Sequence, residues 1–189
     1  MFIFKKRYFF IIESIRDINL KNIKNFGKYN IIYRNESHEN VEKLKKFRLD
    51  CKIKRIPFFV ANNIKLIKIL KADGLYISAF NKKLNTKHLK NNYKIIGSAH
   101  NIKEIKLKEL QGCSEIILSR LFKTTYLNKK SYLGIVKFNL FRNLIGISLT
   151  PLGGINLNNY KKLNNVNCEN VALSSLISKK TFNIQSILK

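Results

Sequence analysis

A pair of adjacent glycines closes an apolar run in "TPLGGINLNNYKKL" (150–163), and a pair of serines closes the next such run in "NVALSSL" (170–176). The chain has only eight glycines in 189 residues, so placing two together implies a backbone requirement. Glycine adopts positive φ without steric cost and lets other groups approach the main chain closely. Two in succession at a strand end can aim their N–H groups into one small space, a nest that takes the oxygens of a phosphate. Gly153 and Gly154, with Ser174, Ser175 and the amides that follow, form a candidate phosphate cradle, and Lys179 and Lys180 lie close in sequence. A tight turn that binds nothing explains the glycine pair equally well.

The other apolar runs end in residues of related character: Ser14, Arg34 with Asn35, Asn62 with Asn63, Ser78, Ser98 with His100, and Arg120 with Thr124. The set is polar, basic and almost free of carboxylates, which suits an anion better than a metal ion. His100 is the only histidine at such a position, and its ordinary pKa range suits proton transfer. It equally suits a role at the start of the helix that follows. Arg34 is a candidate anion ligand, with a salt bridge to Glu13 or Glu36 as the plain alternative. Ser98 is either a ligand or a packing residue.

These residues need a frame that gathers strand ends. Short runs rich in Ile, Val, Phe and Tyr, at 7–14, 29–35, 56–62, 74–79, 93–99, 114–120, 145–151 and 170–176, alternate with Lys-rich stretches of helical character. Ile64, Ile67 and Leu70, and then Ile102, Ile105 and Leu110, recur at helical intervals. The strand-like runs are apolar nearly throughout, as parallel strands covered on both faces are. The cadence predicts a (β/α)8 barrel, an α/β fold whose site lies at the carboxyl ends of its strands. At 189 residues the barrel must be compact with short helices, and the first connection, "IRDINLKNIKNFGK", is a poor helix. A doubly wound open sheet is the alternative. No linker or low-complexity stretch divides the chain, so residues 1–189 form a single domain.

The net charge is +26. It favours an anionic partner, although a coding bias toward Lys, Asn and Ile would produce the same balance. The lysines are spread along the chain, with neither an RNA-binding aromatic signature nor a helix-turn-helix pattern. Phosphorylated small molecules therefore fit better than nucleic acid. No apolar run approaches the roughly 20 residues of a membrane span, and "MFIFKKRYFFII" reads as a first strand rather than a signal peptide. Cys51, Cys113 and Cys168 have neither metal-ligand nor disulfide spacing, which points to a reducing, cytoplasmic compartment.

Six segments, in order and near register, resemble the thiamine-phosphate synthase and TenI tautomerase family. "KADGLYIS" (71–78) is similar to the family's Ala-Asp-Gly-Val-His-Leu-Gly, "KIIGSAHNIKE" (94–104) to Ile-Gly-x-Ser-x-His, and "ILSRLFKTT" (117–125) to Gly-Pro-(Ile/Val)-Phe-x-Thr. "LGIVKF" (133–138), "PLGGIN" (151–156) and "VALSSLI" (171–177) are similar to its Leu-Gly, Gly-Gly-Ile and Val-Ala-Val-x-Ser-x-Ile stretches. The resemblance implies a (β/α)8 barrel that joins hydroxymethylpyrimidine diphosphate to thiazole phosphate, with Mg²⁺ and basic residues holding the diphosphate. It places the thiazole phosphate on Gly153, Gly154 and Ser175, the diphosphate near Ser98 and Thr124, and Arg34 at the arginine of the Gln-Leu-Arg-x-Lys strand. It also puts Asn62 and Asn81 where the metal aspartates belong. Ile32 and Glu36 replace the glutamine and lysine of that strand, Arg120 replaces a proline, and the lysine expected after Thr124 returns only at Lys129. Two other functions remain consistent with the sequence. One is a TenI-like tautomerase using His100, and the other is a phosphate-metabolite or nucleic-acid binder without catalysis.

Overall fold

The structure, a computed structural model, describes residues 6–23, 27–35, 39–124 and 131–174. Eight strands form: β1 (Arg7–Ile12), β2 (Tyr29–Tyr33), β3 (Phe58–Ala61), β4 (Gly74–Ile77), β5 (Lys94–Ala99), β6 (Glu115–Ser119), β7 (Ser148–Leu152) and β8 (Asn170–Leu173). Each pairs in parallel with its sequence neighbour, and β1 pairs with β8, so the sheet closes on itself. The (β/α)8 barrel expected from the cadence is the observed fold, and the open sheet is excluded.

The helical layer is as spare as the length demands. Four α-helices form: α1 (Val41–Ile53), α2 (Ile64–Leu70), α3 (Ile102–Leu110) and α4 (Ile135–Leu144). The connection after β1 holds two 3-10 turns, and the connections after β4 and β7 hold one each. Asparagine side chains start three of the four helices by accepting backbone N–H groups. Asn40 takes those of Glu42 and Lys43, Asn63 that of Leu66, and Asn101 that of Glu104.

Alternation along the strands divides the core into two shells. Phe9, Ile11, Ile32, Phe59, Tyr76, Ile96, Ile117 and Ala172 fill the barrel interior. Their neighbours, among them Phe10, Ile31, Phe58, Leu75, Ile95, Ile116 and Val171, point outward to the helices. The same parity carries Arg34 (two beyond Ile32), Ser98 (two beyond Ile96) and Ser174 (two beyond Ala172) to the carboxyl-end mouth. On α2 the expected face is observed, with Ile67 and Leu70 buried. On α3 it is corrected. Ile102 and Leu110 are 45% and 61% exposed, and the buried positions are Ile105 and Lys108. A lysine faces the sheet because Gly97 on β5 leaves room for its stem; a Cβ there would lie 2.9 Å from Lys108 Cγ and Cδ.

The amino-end floor of the barrel is polar. The Glu115 side chain, 3% exposed, accepts hydrogen bonds from Thr150 Oγ1 (2.5 Å), Asn170 Nδ2 (2.6 Å) and Lys94 Nζ (3.0 Å), which ties β5, β6, β7 and β8 together. Removing the carboxylate would leave the buried Thr150 hydroxyl and the half-buried Asn170 amide without this acceptor, while half-exposed Lys94 can turn to water. Glu115→Ala should lower unfolding free energy by about 2–4 kcal/mol, measured as the denaturant midpoint shift at unchanged slope.

Candidate active site

The glycine pair lies at the end of β7, with Gly153 at φ +99° and Gly154 at φ +71°. The β6–α4 loop presses on both glycines. A Cβ on Gly153 would lie 3.0 Å from Arg120 Cγ, and one on Gly154 would collide with the Phe122 carbonyl. Leu121 N and Phe122 N donate to the Leu152 and Gly153 carbonyls, stitching that loop to the pair. On the other side Asn159 Nδ2 donates to the Gly154 carbonyl at 2.7 Å. The Gly154 N–H donates to no described residue, whereas that of Gly153 faces β8, where Leu152 pairs with Ala172. A cavity of about 30 Å³, lined by Leu152, Gly153, Gly154, Ala172 and Ser174 among others, opens beside them. That is roughly twice what one water requires. Ser174 thus meets the glycines as expected, whereas Ser175, Lys179 and Lys180 lie outside the described residues. Thr124 stands near this side and accepts from Arg120 Nη1 at 3.4 Å.

Arg34 and Ser98 reach the mouth from β2 and β5. Arg34 Nη2 donates to Glu13 Oε1 at 3.0 Å, with both side chains well exposed, so one of the two plain alternatives for this residue is present. An exposed pair of this kind contributes little to stability and leaves guanidinium donors for an anion. Ser98 is 7% exposed. Between them stands the buried Tyr76, close enough to both for each to favour its ionised form. Burial pushes the Tyr76 pKa up, against the lowering influence of those two partners, so the phenol is neutral. Tyr76 occupies the histidine position of the "DGLYIS" segment, and its place in the site was not apparent from the sequence.

Asn62 and Asn81 do come together, but as partners of each other. Asn62 Oδ1 accepts from Asn81 Nδ2 and from the Ser78 N–H, both at 3.1 Å, while Asn62 Nδ2 donates to Ser78 Oγ at 3.0 Å. Asn81 Oδ1 accepts from the Lys83 N–H at 3.1 Å. Mg²⁺ asks for oxygen ligands, usually carboxylates, with free lone pairs in octahedral array. Here both oxygens are neutral and already engaged, and no cluster of three His, Cys, Asp or Glu exists among the described residues. The expectation that this pair holds the metal is therefore corrected: the donor set does not fit Mg²⁺. A groove of about 610 Å³ runs past the pair, lined also by Lys65, Phe80, Lys82 and Lys83. Behind its wall the wholly buried Lys108 donates from Nζ to Ser78 O (2.8 Å), Asn81 O (2.8 Å) and Gln111 Oε1 (2.9 Å).

His100 is tied to α3. Its backbone N–H and ring Nδ1 lie 2.8 and 3.0 Å from Glu104 Oε2, and its ring tilts against Phe80 at 6.4 Å. Burial pushes the Glu104 carboxyl up, but hydrogen bonds from His100 and Asn101 outweigh it and hold the pKa below the ordinary value. The cysteines are free and buried. Burial pushes the Cys51 and Cys113 thiols up to about 12, so neither is a nucleophile at neutral pH.

The thiamine monophosphate synthase family model matches residues 20–177. The chain belongs to that family. It is similar to proteins named thiamine-phosphate synthase from Fusobacterium nucleatum (25% identity over 144 residues; 74% of this chain, 70% of the relative) and Prochlorococcus marinus (28% over 129 residues; 67% and 37%). A third, from Bacillus licheniformis, is 28% identical over 132 residues, covering 68% of this chain and 59% of the relative. The match thus spans less than two thirds of the length of the latter two relatives. Thiamine phosphate pyrophosphorylase from Pyrococcus furiosus shares the fold with a TM-score of 0.75 at 18% identity, covering 98% of this chain and 96% of that one. Phosphoribosyl anthranilate isomerase from Thermotoga maritima shares it with a TM-score of 0.67 at 12% identity, covering 97% and 95%. No helix among the described residues is long and apolar enough to cross a membrane.

Two outcomes test the local geometry. Gly154→Ala combines positive φ with a backbone collision and should cost about 2 kcal/mol or more of stability, read from thermal and denaturant unfolding. Glu104→Gln should cost about 1 kcal/mol at neutral pH. A depressed carboxylate pKa contributes stability above the unfolded value and loses it as pH falls through the folded one. The gap between Glu104→Gln and the parent should therefore shrink below about pH 4, measured as unfolding free energy against pH.

Proposed function

We propose that the chain is a thiamine-phosphate synthase. It joins 4-amino-5-hydroxymethyl-2-methylpyrimidine diphosphate to 4-methyl-5-(2-phosphoethyl)thiazole, giving thiamine phosphate and pyrophosphate. The observation that carries this reading is the small cavity at the ends of β7 and β8, where Gly154 presents an N–H group with no described acceptor beside Ser174. Backbone amides of this kind suit the oxygens of a phosphate monoester. Family membership supplies the identity of the two halves of the substrate.

In the proposed reaction the bond between the pyrimidine methylene carbon and the diphosphate oxygen breaks, the electron pair leaves with pyrophosphate, and the thiazole nitrogen bonds to that carbon. The demand on the protein is positive charge where the leaving group gains negative charge. Arg34 supplies it at the mouth, held by Glu13. Ser98 offers a hydroxyl to the diphosphate side next to Tyr76. Thr124 and Arg120 lie next to the glycine pair and can contact either phosphate group. Mg²⁺ belongs to the family's chemistry, but the engaged amides of Asn62 and Asn81 do not suit it.

The assay is release of pyrophosphate from the two substrates by the purified chain. Turnover that needs both substrates is expected, with kcat/KM falling about 100-fold in Arg34→Ala and about 10-fold in Ser98→Ala. His100→Gln should retain activity within about threefold. No pyrophosphate release from the intact chain would refute the reading. Isomerisation of a thiazole carboxylate phosphate that is lost in His100→Gln would favour a tautomerase instead.

A further inference from the structure

The groove beside Asn62 and Asn81 sits where the resemblance expects metal-bound diphosphate, yet its residues carry another chemistry. The amide oxygens that would face a metal already accept N–H groups. Lys65, Lys82 and Lys83 line the groove, and no carboxylate does. Behind the wall Lys108 is 0% exposed, and the three oxygens that accept from its ammonium, Ser78 O, Asn81 O and Gln111 Oε1, are neutral. No described carboxylate pairs with it. An ammonium held so costs desolvation that neutral carbonyls repay only in part; burial pushes its pKa down, Cys113 and Glu104 act in the opposite direction, and its charge acts through protein rather than bulk water. The wall cannot drift away from this charge. Gln111, itself buried, donates to Asn81 O at 2.9 Å and Lys83 O at 2.8 Å, and Thr86 Oγ1 donates to the Gln111 carbonyl at 3.0 Å.

We propose that this groove binds the diphosphate group through the chain's own ammonium groups, with Lys108 as a fixed counter-charge behind the wall, so that the anion binds without a protein-held metal ion. Lys65, Lys82 and Lys83 meet the outer oxygens, and Lys108 biases the field at the Asn62–Asn81 rim. The identification of the anion as a diphosphate rests on the synthase reading; the cationic character of the groove does not.

The test is calorimetric titration of the full chain with inorganic pyrophosphate in EDTA and again with Mg²⁺. Binding in EDTA is expected, with affinity changing less than about threefold on adding Mg²⁺. Lys108→Met, which keeps the stem and removes the charge, should weaken binding about tenfold, whereas Gln111→Met, which removes loop hydrogen bonds and keeps the charge, should weaken it less than about threefold. Lys82→Gln combined with Lys83→Gln should weaken it about fivefold. Binding only with Mg²⁺, no binding at all, or unchanged affinity in Lys108→Met would overturn the proposal. Equal weakening in Lys108→Met and Gln111→Met would also overturn it, because loop geometry rather than charge would then be the cause. Should Lys108→Met fail to fold by circular dichroism, the metal comparison on the parent chain and the surface double variant decide. Metal-free pyrophosphate binding in a chain without turnover would refute the synthase reading and leave this inference standing. Turnover with strictly Mg²⁺-dependent pyrophosphate binding would do the reverse.

Discussion

Closure of eight parallel strands into one barrel is the constraint on which the site depends. Once β1 pairs with β8, every strand has a fixed inner and outer parity, and inner residues beyond the apolar middle emerge together at the carboxyl-end mouth. Arg34, Tyr76, Ser98 and Ser174 are neighbours of that mouth because each lies in phase with an interior residue of its own strand. At the opposite end the same parity sends Glu115, Lys94, Thr150 and Asn170 to a hydrogen-bonded floor. One end is locked by mutually satisfied polar groups. The other keeps the open Gly154 N–H and cationic side chains, and that difference separates a structural end from a binding end.

The barrel was legible because its signal is repetitive. Eight apolar runs, separated by stretches long enough for a crossover, leave few topologies, and each observed strand lies within its expected run apart from the last residue of β7, Leu152, which extends one residue past 145–151. Helix faces were less legible where side chains break type. Ile102, Ile105 and Leu110 match a helical period, but α3 buries Lys108 in place of the outer two, since Gly97 opens a channel for a long stem. Periodicity counts apolar residues and cannot see a lysine that buries its methylenes and satisfies its ammonium at the far end.

The candidate site was legible in part for the same reason. Gly153 and Gly154 announce a special backbone, and the structure gives them positive φ and a pressing loop. Tyr76 was hidden inside an apolar strand, although a phenol two residues before Ser78 on an inward parity is a detectable sign. The resemblance put Asn62 and Asn81 where metal aspartates belong, but their side-chain amides bond to each other, to Ser78 and to the Lys83 N–H. A carboxylate in either place would repel the other's oxygen without a cation between them; an amide offers both donor and acceptor and closes the gap unaided. The substitution thus changes what the rim requires. The positive charge lies instead in lysines along the groove and in one ammonium behind it.

The most direct measurement of the central claim is a crystal structure of the chain grown with thiamine phosphate and pyrophosphate. The account predicts the phosphate of thiamine phosphate within hydrogen-bond distance of the Gly154 N–H group and beside Ser174, and pyrophosphate in the groove lined by Lys65, Lys82 and Lys83. Density for the phosphate elsewhere, with the Gly154 amide closed off by protein side chains, would contradict it.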